Sequence, residues 1–561
     1  MLAAWLAAVV AIDPRGQFPM ADDWVYAHVV RSLLEGRGFD FLPWTGASLF
    51  AQALYGAAAC LATGFSHQVL RLTTLVLSAG GIAATHALLV ELGATATVAA
   101  AGAATVAFSP IWLSQSFTFM TDVPFASLAI AAAWLYARSL RTGSRGGLFA
   151  AGLVAAVAFF VRQHAVWIAG AAALAALMPA SAAADPPPRR SSLAGRLADA
   201  AAALALPAVA AVAYTAWALT SQQAPLAIHN KIGEAAGTSL LPVANAAFRA
   251  LVTLGFLLLP WSLVVRPPSP RRRALVAGAL VVLGAGAALV AVRDGAWMFY
   301  LPNVLGTDWI GALTTRDTQF LAPSPYSGGG SPLRAAITVV SVASAAMLVA
   351  GLADSLPSLR SPAFPPSRRR SAVFVALALA LSALGSLAQA HYYFDRYLMA
   401  VLPLTLAALA MTSPGPRPGP AFAAALALMS AYAVAGTHDY MEWNRARWSL
   451  LGELEAGGVT ARQIDGGFEY NAERLAAEMR TAPSDAEARR GQSASKKSWW
   501  WVDDDEWVIA FGPLDGYRAR MSRSYARWLP PGRGEVFALH RLGDASGAGG
   551  DTGREGGDAR P

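Results

Sequence analysis

Asp22 and Asp23 stand side by side, followed closely by Trp24, Tyr26 and His28. Carboxylates at the edge of an apolar segment are costly unless they are used or solvated. The pair could equally open a helix over residues 23–34, capping its free N–H groups and complementing its dipole. A third acid, Asp122, sits in Phe117-Thr118-Phe119-Met120-Thr121-Asp122-Val123-Pro124-Phe125 at the start of an apolar run. There it could N-cap a helix with Pro124 in the first turn, and a helix N-terminus is also where an anion or a metal-bound phosphate is held.

The cations that could complement these acids are few. Arg162, Gln163 and His164 interrupt an apolar run. A guanidinium so placed forks onto phosphate oxygens or snorkels from a turn between two helices. His391 to Tyr397 is a similar cluster, whose Asp395, Arg396 and Tyr397 read either as a site or as an aromatic belt with a surface ion pair. Lys231, with His229 and Glu234, is a weaker candidate phosphate contact. The mix of Arg293, Trp297, Phe299, Tyr300, Trp309 and Arg316 reads first as interfacial, and Trp499 to Trp501 with Asp503 to Asp505 as part of a soluble domain. Phosphate-loop, dinucleotide, nucleophile-elbow and zinc-protease patterns do not occur, which leaves nucleotide chemistry without support. With Cys60 as the only cysteine, an intrachain disulfide and a cysteine-based zinc site are excluded.

The elements that must hold these residues are membrane helices. In 561 residues, 55% are hydrophobic and 14% charged, with a mean hydropathy of +0.42, whereas soluble domains carry about 25% charge. The formal net charge of +8 does not indicate nucleic acid, because there are only three lysines and most arginines sit in short loops between apolar segments. Apolar segments at 1–12, 69–90, 95–113, 122–139, 147–161, 165–178, 200–220, 246–266, 274–292, 335–353, 371–389, 397–412 and 420–436 give about thirteen spans.

Loops 138–146, 185–196, 266–273, 354–370 and 413–419 hold 15 arginines against Asp185 and Asp354, a positive-inside pattern that puts all five on the cytoplasmic side. Two crossings must then separate the first two loops, so the chain turns at Arg162 rather than forming one kinked helix. The same parity requires Gly46 to Phe65 not to cross, and it reads as a helix at the outer interface. The acids, Arg162, Lys231 and Arg396 all fall outside. Met1 to Ile12 is short for a span and lacks the charged start of a signal peptide, so a start site set too far downstream is one reading. After Gly436 the apolar periodicity stops, and alternation at Trp507 to Phe511 and Glu535 to Leu539 predicts strands. The expected organisation is a membrane domain over 1–436, a small extracytoplasmic α/β domain over 437–542, and a disordered Gly/Asp/Ala-rich tail over 543–561.

The order of these features resembles the polytopic GT-C glycosyltransferases, in particular the ArnT-like and protein O-mannosyltransferase-like group that includes RgtA/B/C/D-like domains and glycosyltransferase family 39. The likeness covers roughly residues 1–436. It rests on Asp22-Asp23-Trp24-Val25-Tyr26 after a first span, the interfacial helix, Thr121-Asp122-Val123-Pro124 after two more, Arg162 where the family often has Lys, and Arg396-Tyr397 before a span with Pro403. The short first span and the Asp at position 23, where Glu is common, are departures.

The resemblance implies an all-α GT-C fold and transfer of a sugar, with inversion, from a polyprenyl-phosphate donor to a lipid, glycan or protein acceptor outside a bacterial plasma membrane. It implies Asp22 as base, with Asp23 as the alternative, and Asp23 and Asp122 shaping the site or holding a divalent cation, Mg²⁺ or Mn²⁺, where one is used. No metal-ligand spacing identifies such a cation, and no cofactor is certain. Tyr26, Arg162, His164, Lys231, Arg396 and Tyr397 are the expected substrate contacts. A transporter or flippase of lipid-linked intermediates is the alternative; it calls for paired half-repeats and broken helices at the midplane, whereas the charges here cluster at one boundary. A non-catalytic assembly protein is a third reading.

Overall fold

A computed structural model describes residues 1–179, 192–225, 227–228, 239–264, 270–294, 301, 303–306, 311–314, 331–358, 365–390, 393–411, 418–475 and 505–542. Lys231, His391 and Tyr392, Trp499 to Trp501, much of the loop 293–334 and the tail 543–561 lie outside the described residues.

The chain begins with α1 (Leu2–Ile12), α2 (Asp23–Leu34) and α3 (Phe50–Cys60), then α4 (His67–Glu91), α5 (Ala96–Ala107), α6 (Pro110–Ser116), α7 (Asp122–Thr142), α8 (Arg145–Phe159), α9 (Val166–Ala176) and α10 (Leu193–Thr220). Further helices span Leu240–Leu257, Pro270–Asp294, Ser331–Ser358, Arg369–Leu387, Val401–Ala410, Pro420–Ala456 and Phe468–Leu475. Eight described helices are long and apolar enough to cross a membrane, and α5 with α6, bent by 63°, makes a ninth. This is a multi-pass integral membrane protein. Adding the three shorter apolar helices α1, Arg145–Phe159 and Gln163–Ala176, and then Val401–Ala410, recovers the thirteen expected segments.

Two expectations meet a local difference. The apolar run 95–113 is not one straight helix. Pro110 has no N–H and disfavours helix at the residue before it, so α5 stops at Ala107 and α6 starts afresh at Pro110. The helix that carries the last apolar segment runs on past Gly436 as one 37-residue helix, Pro420–Ala456, about 55 Å long.

The turn at Arg162 is present. Its backbone is extended (φ −147°), and it separates α8 from α9 through the short turn Gln163–Ala165. Arg145 at the start of α8 binds Asp199 (2.9 Å), and Arg196 donates to the Leu177 carbonyl just past α9 (2.9 Å). Both far ends of the hairpin thus meet the start of α10, while Gln163 at its tip donates to Tyr214 Oη (2.9 Å) near the end of α10. Arg141 pairs with Glu91, and Arg370 donates to the Ala176 carbonyl. These four arginines, at four helix ends, so collect at one end of the bundle, and Asp122, 21 residues and about 30 Å up α7, lies at the other.

Helix α7 is the central element, and α4 packs along it with a close approach at Gly81, where a Cβ would lie 2.9 Å from Ser127 Cα. Gly81→Leu should separate the two helices and destabilise the protein by about 1–3 kcal/mol, read as a lowered unfolding temperature of the detergent-solubilised protein.

After Gly457 the chain forms a four-stranded sheet of order β1-β2-β4-β3, with β1 Ile464–Asp465, β2 Trp507–Ala510, β3 Tyr517–Trp528 and β4 Pro531–Arg541. β1 and β2 are parallel and the other pairs antiparallel. Expected strands at 507–511 and 535–539 are β2 and part of β4. The β3–β4 hairpin tip is fixed to the long helix: Trp528 and Leu529 N–H groups donate to Asp439 (2.7 and 2.8 Å), and the Trp528 ring stacks on His438 at 3.7 Å.

Candidate active site

The site is assembled from four chain segments, around Asp22, Asp122, Arg162 and Arg396. Asp122 is the first residue of α7, one position inside the N-terminus expected for a cap, with a side chain only 2% exposed. Its Oδ1 accepts from Arg162, at the tip of the α8–α9 hairpin. Its Oδ2 lies 3.9 Å from Arg396 Nε, and both of these buried atoms are without a hydrogen bond. Arg396 also donates through Nη2 to Asp22 Oδ2 at 3.2 Å. One guanidinium therefore spans the two acids, and Asp22–Arg396–Asp122–Arg162 forms a continuous chain of alternating charge. Arg162 and Arg396 stack over the Tyr397 ring, at 4.8 and 5.9 Å.

Asp22 is the accessible end of that chain, with its side chain 36% exposed. Tyr26, one turn on in α2, is buried, and burial followed by the Asp22 charge holds its phenol above the usual range. Beside the cluster is a cavity of about 30 Å³ lined by Asp122, Arg162, His164, Arg396 and Tyr397 with Phe125 and Ser386 among its walls, room for a single water-sized group.

Asp23 is placed differently from Asp22. Its carboxylate is 97% covered and turned away from the cluster, accepting from the N–H groups of Met20 (3.2 Å) and Phe119 (2.8 Å). It ties the Asp22 loop to the Asp122 loop. Burial pushes it up to about 8, over the opposing effect of those amides and of Arg71. A raised carboxyl favours the folded state while protonated, so its contribution is complete below about pH 4 and is lost as pH rises through about 8. Asp23→Asn should flatten the fall in unfolding temperature across that window, measured by thermal denaturation in detergent.

Sequence reasoning missed the residues that hold the loops. Arg71, in the first turns of α4 and 1% exposed, donates to the carbonyls of Phe117 (2.8 Å), Pro14 (2.8 Å), Gly16 (3.0 Å) and Phe18 (2.9 Å). Gln52 of α3 donates to the Phe119 carbonyl at 2.6 Å. A lone arginine in a 25-residue apolar helix was the available signal. Asp395 is no surface partner of Arg396. It is fully buried and accepts from Val304 (3.1 Å), Leu305 (2.6 Å) and its neighbour's own N–H (2.7 Å), and burial pushes it up to about 7. His28 pairs with Asp40 at 3.1 Å.

Of the nine expected site residues, Asp22, Tyr26, Asp122, Arg162, His164, Arg396 and Tyr397 converge, Asp23 lies just behind them, and Lys231 is not described. The donor set fits a protein-held cation poorly. Both converging carboxylates are engaged by guanidinium, and the described residues contain no group of three His, Cys, Asp or Glu able to hold a metal.

Residues 48–217 match the family described as dolichyl-phosphate-mannose-protein mannosyltransferase. No curated protein matches the chain. Among solved structures, ArnT from Cupriavidus metallidurans bound to undecaprenyl phosphate is similar at 14% identity and a TM-score of 0.41, over 96% of this chain and 97% of that one. The oligosaccharyltransferase of Archaeoglobus fulgidus tethered with an acceptor peptide is similar at 15% identity and a TM-score of 0.37, over 78% of this chain and 55% of that one. Likeness at that level says nothing about the reaction. The matched stretch runs from α3 to α10 and includes Asp122 and Arg162, so the resemblance stated from the ordered motifs holds: this is a polytopic membrane protein similar to the GT-C glycosyltransferases, carrying the protein O-mannosyltransferase-like sequence over residues 48–217.

Proposed function

We propose that the protein transfers a sugar from a polyprenyl-phosphate donor to an acceptor hydroxyl at the non-cytoplasmic face of the membrane, in one inverting displacement. The observation that carries this is the bridge from Asp22 through Arg396 to Asp122, with Arg162 on the far side of Asp122. Two cations for a phosphate and one accessible carboxylate for a hydroxyl stand within the reach of a single sugar phosphate. The family matched over 48–217 is described by a lipid-phosphate sugar donor, which supports the donor class. Collection of the arginines at the opposite end of the bundle supports the orientation.

Asp22 takes the acceptor proton while the acceptor oxygen forms its bond to the anomeric carbon. The bond from that carbon to the phosphate oxygen breaks, and its electron pair leaves on the polyprenyl phosphate. Arg396 and Arg162 lie where they stabilise that growing charge by charge-assisted hydrogen bonds in a low-dielectric cleft. Asp122 orients both guanidiniums, which explains why it is buried between them rather than open to a substrate. No step is routed through a divalent cation. Whether the sugar is a hexose or pentose, and whether the acceptor is lipid, glycan or protein, follows from one experiment: purified protein incubated with a panel of radiolabelled polyprenyl-phosphate sugars and membrane extract. Label moving from donor to a new product supports transfer. Translocation of intact donor in reconstituted vesicles, with no labelled product, supports the flippase reading instead.

A further inference from the structure

The helix Phe468–Leu475 belongs to the C-terminal part of the chain yet reaches the catalytic loop. Glu469 on it is completely buried. Its Oε1 accepts from the backbone N–H of Ala21 (3.2 Å) and from Tyr440 Oη (3.2 Å), and its Oε2 accepts from Arg447 Nη1 (2.8 Å). Arg447, also fully buried, donates through Nε to the Gly466 carbonyl at 2.7 Å, which fixes the start of the same helix. Ala21 is the residue immediately before Asp22, and its backbone is left-handed at φ 51°, a conformation that costs a non-glycine residue about 1 kcal/mol or more unless its surroundings impose it. Two further contacts hold the same region: Glu473 pairs with Arg31 of α2 (2.6 Å) and His67 of α4 (3.3 Å), and Phe468 packs edge-on to Trp24.

A charge pair at the centre of a folded domain needs a partner in its geometry, and Arg447 supplies one for Glu469. Nothing in that pairing requires the carboxylate also to meet a peptide 448 residues earlier in the chain. The Ala21 contact is the one that touches function. We infer that Glu469 is a positioning residue, which holds the Ala21 peptide in its left-handed turn and so sets the aim of the Asp22 carboxylate; the C-terminal domain is a working wall of the active centre. This rests on the assignment of Asp22 as the base.

The test compares Glu469→Gln, which keeps an oxygen acceptor for the Ala21 N–H but loses the charge opposite Arg447, with Glu469→Ala, which keeps neither. Misplacement of a reacting group by about 1 Å costs about 10²-fold, so Glu469→Ala should lower kcat by about that factor with donor KM little changed. Glu469→Gln should stay within about threefold of wild type, even with its unfolding temperature lowered. Hydrogen exchange over residues 19–24, read by mass spectrometry, should quicken in Glu469→Ala and not in Glu469→Gln. Should Glu469→Ala not accumulate, Glu469→Asn takes its place, polar against Arg447 but a methylene too short for the Ala21 amide.

Unchanged exchange at 19–24 overturns the inference, whichever residue is the base. So does equal loss of kcat in the Gln and Ala variants, which would make the charge pair the only role. If exchange quickens in an Asp22→Asn background but Asp22→Asn itself retains transfer, the anchor exists and the base assignment has failed.

Discussion

Asp22→Asn should reduce sugar transfer by about 10³-fold, within the range lost when a positioned general base is removed, while leaving the protein inserted and its affinity for the lipid-phosphate donor nearly intact. The expectation follows from three features of the residue. Asp22 is the half-open member of the cluster, and among the described residues its carboxylate accepts from the Arg396 guanidinium and from no backbone amide that would need its charge. Asparagine keeps its size and still accepts from Arg396. The loss should therefore appear in kcat rather than KM, measured as initial rates with labelled donor in detergent or reconstituted bilayers. Asp23→Asn serves as the contrast. Among the described residues, the hydrogen bonds to the Asp23 carboxylate come from the amides of Met20 and Phe119, so its substitution should act on stability and its pH dependence first, with a smaller effect on rate.

Arg396→Met is expected to have the second large effect, and on a different quantity. Arg396 bridges Asp22 and Asp122 and, with Arg162, flanks the place where the phosphate is proposed to lie. Its removal should cost about 10²–10³-fold in kcat through lost stabilisation of the leaving phosphate. It should also lower stability by about 3–5 kcal/mol, because a buried acid loses one of its two cations. Arg396→Lys should restore only part of the activity. An ammonium is a compact point charge, whereas the guanidinium plane reaches two carboxylates at once and stacks on Phe394 and Tyr397. Activity and unfolding temperature of the three proteins, measured side by side, separate the two contributions.

How much of this was legible beforehand differs by residue, for physical reasons. The membrane character was legible from the apolar runs, and the turn at Arg162 because two arginine-rich loops on one side need two crossings between them. The acids at 22 and 122 were legible as a pair because charge at a membrane boundary is rare, and the alternation of loops put both on one side. What could not be read was which atom of which acid faces the cluster. Asp22 and Asp23 are neighbours on the chain, yet one opens toward Arg396 and the other is folded under the loop, and that choice is made by Arg71, Gln52 and Glu469. These residues act through contacts 46 to 448 positions away in sequence, where no local spacing registers. For Asp395 the two readings, site or surface pair, stayed open for a related reason: its partners are backbone amides at 304 and 305, and an amide leaves no trace in the residue type. The apolar run ends at Gly436, but hydropathy reports the surroundings of a helix and not its continuity, so the helix running through to Ala456 could not be seen.

The most direct test of the account is the affinity of a polyprenyl monophosphate, measured by calorimetry in the same detergent for wild type, Asp22→Asn and Arg396→Met. The charge chain predicts that Asp22→Asn binds at least as tightly as wild type, since Arg396 is freed from a competing carboxylate, and that Arg396→Met binds at least about tenfold more weakly, the equivalent of about 1.4 kcal/mol. Equal affinity in all three proteins would contradict it, because the phosphate would then lie elsewhere than between Arg162 and Arg396.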